Sequence, residues 1–346
     1  MTDEYASVTI KEVAQVAGVS IATVSRVLNH SLSVTESTRN RVLEAMKELE
    51  YSRNEVARSL KIRQTKTIGI IAPELSNVFF MQIIEAMERV LAPLGYTMII
   101  SSSSNSTAEE QRKLQVFIER NVDGLVVMPA GMHGEHFNSK ALASIPIIMV
   151  DRRIPGLAVD TVLTDNRYGV HQMIRALKEE GHQRIGYIGV DPSIHTASER
   201  LQGYYEAMKQ CNLEVDERFV LYEGTMEQHT GRKLLRKMLE QPRHPDAYFI
   251  ANEGLHLGAT AYALEYVDPS RRQQLVFASF DLMSYGQLLK LCHYAVAQPL
   301  EQIGREVAAL LLKRLQRDMD GFPTNIVLRP DIKVITANGG KPFTVT

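Results

Sequence analysis

Two groups of residues in this chain have types and spacings that could do chemistry. The first lies in Thr9 to Asn29, TIKEVAQVAGVSIATVSRVLN, where Ile21, Ala22, Ser25 and Arg26 share one face of a helical repeat, with Thr23 and Asn29 at its edges. Short apolar side chains at the start of a helix suit thymine methyls, an arginine one turn further suits a guanine edge, and hydroxyls suit phosphates. That is the chemistry of reading a DNA groove. The second group, Asp151, Asn252, Asp281 and Gln298, stands at the ends of apolar runs. Singly, a carboxylate or amide there caps the helix that follows; four of them at one edge of a sheet favour a polar site for a hydroxyl-rich ligand.

The elements needed to present the first group are legible. Thr9 with Glu12 three residues later is a capping box, and Val13, Val16 and Ala17 supply the apolar face of a first helix. Gly18 permits a sharp turn, Val19 plugs the angle, and Ser20 caps a second helix whose Val24, Val27 and Leu28 pack inward. Thr35 to Tyr51 reads as a third helix capped by Thr35, with Val42, Leu43, Ala45, Met46 and Leu49 as its buried stripe. Three helices at this spacing make a small helix-turn-helix head; the competing reading is an amphipathic helical pair with no DNA role. NEVARSL, from Asn54 to Leu60, is helix-like but too short to be stable alone. Around it, Arg53, Arg58, Lys61, Arg63 and Lys66 stand against the single acid Glu55, a place for phosphate contacts, although charge alone favours a solvated linker.

At 346 residues with 45% apolar composition the chain can fold two or three domains. A net charge of −1 excludes a protein that coats nucleic acid or membrane by bulk charge, so DNA affinity must be local. Cys211 and Cys292 have no metal-type spacing and read as plain buried thiols of a reducing cytoplasm. MTDEYASV carries acids where a secretion signal needs positive charge, and no run of about 18 apolar residues occurs, so neither export nor a membrane span is expected. From Thr67 onward, TIGIIAP, YTMIISSS, GLVVMP, PIIMVD, RIGYIGV, FVLYEG, AYFIAN, QLVFASFD and YAVAQ read as strands separated by helices. The expected fold is therefore an all-α head on an α/β core of two doubly wound parallel sheets facing each other across a cleft, with ligand groups at the strands' carboxyl ends.

With head, linker helix and strand-end groups in view, the chain resembles the lactose/galactose repressor (LacI/GalR) family along essentially its whole length. The motifs are the head segment, NEVARSL, TKTIGIIAPELSNVFF, GHQRIGYIG, SERLQGYYEAM and AQPLEQIGREVAALLL, in that order. The resemblance implies a head over 1–53, a hinge helix and linker over 54–66, and a periplasmic-binding-protein-like core over 67–346. Its first subdomain would take about 67–164 and 298–325, and its second about 165–297 and 326–346. It also implies a homodimer on a near-palindromic operator and a sugar or sugar-phosphate effector, with a purine as the less favoured alternative that the same Arg/Asp/Asn cleft would fit, and with no cofactor and no metal. By position, Ile21, Ala22 and Arg26 would read bases, Thr23, Ser25 and Asn29 would hold the backbone, and Leu60, beside Asn54 and Ala57, would wedge a base step. Phe79 and Phe80 would wall the effector, and Asp151, Thr196, Arg200, Asn252, Asp281 and Gln298 would hydrogen-bond it. Arg200 could instead be a buried structural ion pair. Three positions depart from the family: Met226 replaces an aromatic in a chain without tryptophan, Arg53 replaces a proline, and Glu253 replaces an aspartate. The C-terminal stretch has no leucine heptads, so a dimer and not a coiled-coil tetramer is expected.

The alternatives come from other classes. An enzyme on the same core lacks GxGxxG, GxxxxGK[ST] and GxSxG signatures. His133 and His136, with Glu135 between them, could suggest a metal, but they lie in a loop-like stretch with no further ligand nearby and are better read as a surface loop. SSSSNS at 101–106 reads as a strand-to-helix loop with Thr107 as a cap. A sugar-binding protein for uptake has no use for the head, and a global carbon regulator with a protein co-regulator is the alternative within the family.

Overall fold

The computed structural model describes residues 8–28, 33–51, 64–224, 226–281 and 292–335. The chain divides into two compact units, Met1–Thr65 and Lys66–Thr346. In the first, α1 (Ile10–Val16), α2 (Ile21–Leu28) and α3 (Glu36–Glu48) enclose a small core of Val13, Ala14, Ala17, Val24, Val27, Val42 and Ala45. None of these helices is long enough to hold without that packing. The capping box forms as the sequence requires: Glu12 Oε2 accepts from Thr9 N at 2.7 Å, and Thr9 Oγ1 accepts from Glu12 N at 3.4 Å. Two expected core residues are corrected. Val16 and Leu43 are 48% and 50% exposed, because the buried stripes centre on Val13, Ala14 and Ala17 and on Val42, Ala45 and Leu49, leaving each roughly 110° off centre.

The second unit carries two six-stranded sheets. The first orders β11-β5-β4-β3-β1-β2, from β1 (Thr67–Ala72), β2 (Thr97–Ser102), β3 (Gly124–Val127), β4 (Ile147–Val150), β5 (Asp160–Thr164) and β11 (Asn325–Leu328), all parallel. The second orders β12-β10-β9-β8-β6-β7, from β6 (Ile185–Gly189), β7 (Val220–Tyr222), β8 (Ala247–Ile250), β9 (Phe277–Phe280), β10 (Tyr294–Ala297) and β12 (Asp331–Val334), with β12 antiparallel at the edge. The helices are α4 (Val78–Leu91), α5 (Thr107–Glu119), α6 (Asn166–Glu179), α7 (His195–Gln210), α8 (Gln228–Leu239), α9 (Glu253–Tyr266), the short α10 (Pro269–Arg272) and α11 (Leu300–Leu315). Their crossovers cover both faces, which is why β3, β4, β8 and β9 are buried along their whole length.

Nine strands were expected, and β5, β11 and β12 are additions. DTVLT hides as a strand because Asp160, Thr161 and Thr164 interrupt its apolar run, yet all five residues are buried. Asp160 is tolerated there because Arg314 donates to it twice, at 2.7 and 2.9 Å, and Thr324 N donates at 2.7 Å. The edge strands β11 and β12 alternate or face water and carry no strong apolar signal. Pairing of β11 with β5 moves the last crossing between sheets to the stretch between Leu328 and Asp331, a few residues beyond the expected 325. The chain thus passes between the sheets three times: after Thr164, at Gln298, and after Leu328.

Candidate functional site

The turn between α1 and α2 follows from Gly18, whose φ of +62° is open to glycine at little cost, and from Val19 N donating to Ala14 O at 3.0 Å. Ser20 then caps α2, its Oγ accepting from Thr23 N at 3.1 Å and pairing with Thr23 Oγ1 at 2.9 Å. Val24 and Val27 point into the head's core, which forces Ile21, Ala22 and Arg26 outward as one exposed face, with Thr23 and Ser25 half-buried beside it. Asn29, Arg53, Asn54, Ala57, Arg58, Leu60, Lys61 and Arg63 lie outside the described residues. Lys66 belongs to the core unit: its N–H donates to Asp123 Oδ2 at 2.9 Å and its ammonium lies 4.1 Å over the Tyr96 ring.

In the core, Asp281 and Gln298 are joined with Arg200 and Thr164 in one network, while Asp151 and Asn252 make separate contacts. Asp151 follows β4 and Asp281 follows β9, both with left-handed backbone (φ +67° and +89°), a conformation aspartate adopts more readily than most side chains. Each amide still bonds the next strand, Asp151 N to Val162 O and Asp281 N to Val296 O, both at 3.1 Å. Arg200, on α7, is 5% exposed. Its Nε donates to Asn166 Oδ1 at 2.8 Å, one Nη donates to Ala251 O at 2.7 Å and stands 3.9 Å from Asp281 Oδ2, and its guanidinium lies 3.7 Å over the Phe280 ring. Gln298 Nε2 donates to Asp281 Oδ1 and Thr164 Oγ1 donates to Gln298 Oε1, each at 2.5 Å. Burial pushes the Asp281 carboxyl above its ordinary range, with Arg200 and Gln298 opposing. Asn252 caps α9 by accepting from Gly254 N and Leu255 N at 2.8 and 3.2 Å, and its Nδ2 reaches Met226 Sδ at 3.7 Å. Thr196 is buried in the first turn of α7. Phe79 and Phe80 meet edge to face with centroids 5.1 Å apart; Phe79 is half-buried, while Phe80 joins the first sheet's core.

Sequence reasoning missed Asn166, Thr164 and Phe280 as supports of this network. Asn166 and Thr164 flank Asp165 at a strand-to-helix turn, which reads only as capping chemistry, and nothing in FASFD marks Phe280 as a platform for a cation. Two loop readings are corrected. His136 is not a surface residue: its Nε2 sits 2.8 Å from Oε1 of buried Glu110, which also accepts from Ala130 N at 2.8 Å. Ser106, not Thr107, caps α5, accepting from Glu109 N at 3.3 Å. Neither cysteine is in a disulfide; Cys211 is only half-buried, and burial pushes Cys292 up to about 12. Among the described residues no group of His, Cys, Asp and Glu could hold a metal ion, and no helix is long and apolar enough to cross a membrane.

A helix-turn-helix head on a two-sheet core with polar groups at the strand ends defines a ligand-responsive, DNA-binding transcription regulator. The chain belongs to the LacI family: residues 9–54 match the model of bacterial regulatory proteins of the lacI family, and residues 65–327 match that of periplasmic binding proteins and the sugar-binding domain of the LacI family. The HTH-type transcriptional repressor PurR of Proteus mirabilis (strain HI4320) is 33% identical over 315 residues, 89% of this chain and 90% of that protein. The crystal structure of the lac repressor dimer bound to operator and the anti-inducer ONPF shares the fold, with a TM-score of 0.84 at 23% identity over 95% of this chain and 99% of that one. The transcriptional regulator CelR in complex with cellobiose matches with a TM-score of 0.69 at 28% identity over 94% and 98%.

Proposed function

We propose that the protein is a cytoplasmic repressor of carbohydrate-utilisation genes, a homodimer without cofactor or enzymatic activity, released from a near-palindromic operator by a sugar or sugar phosphate. In the head, Ile21, Ala22 and Arg26 read base edges, while Thr23, Ser25 and Asn29 hold phosphates. Leu60, with Asn54 and Ala57, wedges the central base step, where unstacking is repaid by a bent site that makes more contacts. Asp151, Thr196, Arg200, Asn252, Asp281 and Gln298 bind the effector against Phe79 and Phe80. Carboxylates that accept from vicinal hydroxyls and an arginine fork that donates to them suit a carbohydrate, and the cellobiose held by the CelR relative supports that class.

One observation carries the reading. The network Arg200, Asp281, Gln298, Thr164 runs from the end of β9 directly into two of the three crossings between the sheets. A ligand that engages Arg200 and Asp281 therefore acts on the joints that set the subdomains' relation. It shifts operator affinity only through unequal affinity for the free and operator-bound states. Arg200→Ala is expected to abolish release by effector while leaving operator binding within about threefold, measured by fluorescence anisotropy with and without effector. A variant that releases normally would sink the assignment.

A further inference from the structure

At the edge of the first sheet opposite the cleft, where β4 and β5 begin at Ile147 and Asp160, lies a cavity of about 700 Å³. That volume falls within the range of small-molecule sites, roughly 300–1,000 Å³. Three stretches of chain wall it: 137–147, 156–160 and the turn 314–322 that ends α11. Phe137, Leu142, Ile147, Leu157, Met319 and Phe322 supply its apolar surface. Met319 and Phe322 are 54% and 41% exposed, so two large apolar side chains stand in water at its mouth.

The protein's own bonds fix these walls. Arg314 donates to Asp318 O and Asp320 O at 2.7 and 3.2 Å, and Lys313 Nζ donates to Asp320 O at 2.8 Å, so the last turn of α11 holds the turn that carries Met319 and Phe322. On the other side, buried Glu110 holds His136, the neighbour of Phe137, at 2.8 Å. Gly134 lies so near the third wall that a Cβ there would meet Ile154 Cγ2 at 2.8 Å. A site built in advance binds without a large ordering cost.

Charge then sets the class of ligand. Among the described residues that line the cavity there is one carboxylate, Asp160, against two guanidiniums, Arg314 and Arg317. Asp160 accepts twice from Arg314, at 2.7 and 2.9 Å, and the two charges cancel. Arg317 is exposed, and among the described residues its guanidinium makes no hydrogen bond or ion pair. An apolar cavity with one cation to spare suits an organic anion with an apolar body.

We propose that this cavity is a second ligand site, one for an aryl or branched-aliphatic carboxylate. The apolar body lies among Leu142, Leu157 and Phe322, and the acid group pairs with Arg317. The site does not depend on what the cleft binds.

Phe322→Trp gives the full-length protein, which has no tryptophan of its own, a single fluorescent reporter at the mouth. It is titrated with 3-phenylpropionate, 4-phenylbutyrate and 4-methylpentanoate, each beside its neutral amide at fixed ionic strength. At least one acid is expected to change the tryptophan emission saturably, with its amide weaker by about fivefold, the contribution of an exposed ion pair. In the same background, Arg317→Gln should weaken that acid by about the same factor and leave the amide unchanged. Ala158→Tyr, which brings a ring into the cavity from an exposed position on its wall, should abolish both responses. An acid that binds Arg317→Gln as tightly as the parent, or an amide that matches its acid, would overturn the anionic class. A response untouched by Ala158→Tyr, or no saturable response to any of the three acids, would overturn the site itself.

Discussion

Glu253 opens α9 beside the capping Asn252, and its carboxyl is pushed up to about 7 from 4.5, first by burial and then by the charge of Asp281. An acid whose folded pKa lies above its unfolded value binds its proton more tightly when folded, so ionisation favours unfolding. The effect is absent below the unfolded value of 4.5, grows between there and about 7, and is complete above. Glu253→Gln is therefore expected to gain stability over the parent as pH rises from 5 to 7, by about 1 kcal/mol once solvent screening at this half-buried carboxyl is allowed for, and to hold that gain beyond. Urea unfolding at each pH reads it directly, and a constant difference across the range would refute it. The departure at this position, glutamate for aspartate, thus places a titrating group at the cleft near neutral pH.

Among the elements, α11 supplies Ile303, Val307, Ala308, Leu310 and Leu311 to the first sheet's core, and two of its other residues explain how it is held there. Gly304 lets it approach α4 closely: a Cβ there would meet Ala86 Cβ at 2.5 Å and Ile83 O at 2.6 Å. Gly304→Ala must push the helices apart, an overpacking cost of about 1–3 kcal/mol, visible as a lower urea midpoint with unchanged slope. At the other end of the helix, Arg314 meets Asp160 of β5 with both side chains buried, and it also donates to Asp318 O and Asp320 O. Removing the guanidinium strands a buried carboxylate. Arg314→Met is expected to destabilise by about 3–5 kcal/mol, with Asp160→Asn recovering part of that in the double variant, a coupling that thermal unfolding of the four proteins would measure. The same pair explains why β5 escapes sequence reading, since an aspartate inside a strand is acceptable only where an arginine some 150 residues away arrives to neutralise it.

On the scale of the whole molecule, regulation depends on how binding in the cleft reaches the crossings. Thr164→Val removes the hydroxyl that bonds Gln298 and preserves shape, taking away a bond worth about 1 kcal/mol. The ratio of operator affinities with and without effector should fall toward one by about fivefold, with each separate affinity less changed. Operator titrations at zero and saturating effector give that ratio, and an unaltered ratio would exclude the crossings from the coupling. Local sequence alone determined the capping box at Thr9 and Glu12, the turn at Gly18, the outward face of Ile21, Ala22 and Arg26, and the apolar strands of a doubly wound core. It also determined that Asp151, Asn252, Asp281 and Gln298 stand at strand ends. Each is a matter of backbone conformation, caps or hydrophobic period, which act over a few residues. Only the tertiary structure decided that β5, β11 and β12 complete the sheets, that Val16 and Leu43 face water, and that His136 is held by Glu110. It likewise decided that Arg200 is satisfied by Asn166 and Ala251. These outcomes depend on partners distant in the chain, and burial of a charge or amide becomes favourable, or becomes unfinished, only when such partners are brought to it.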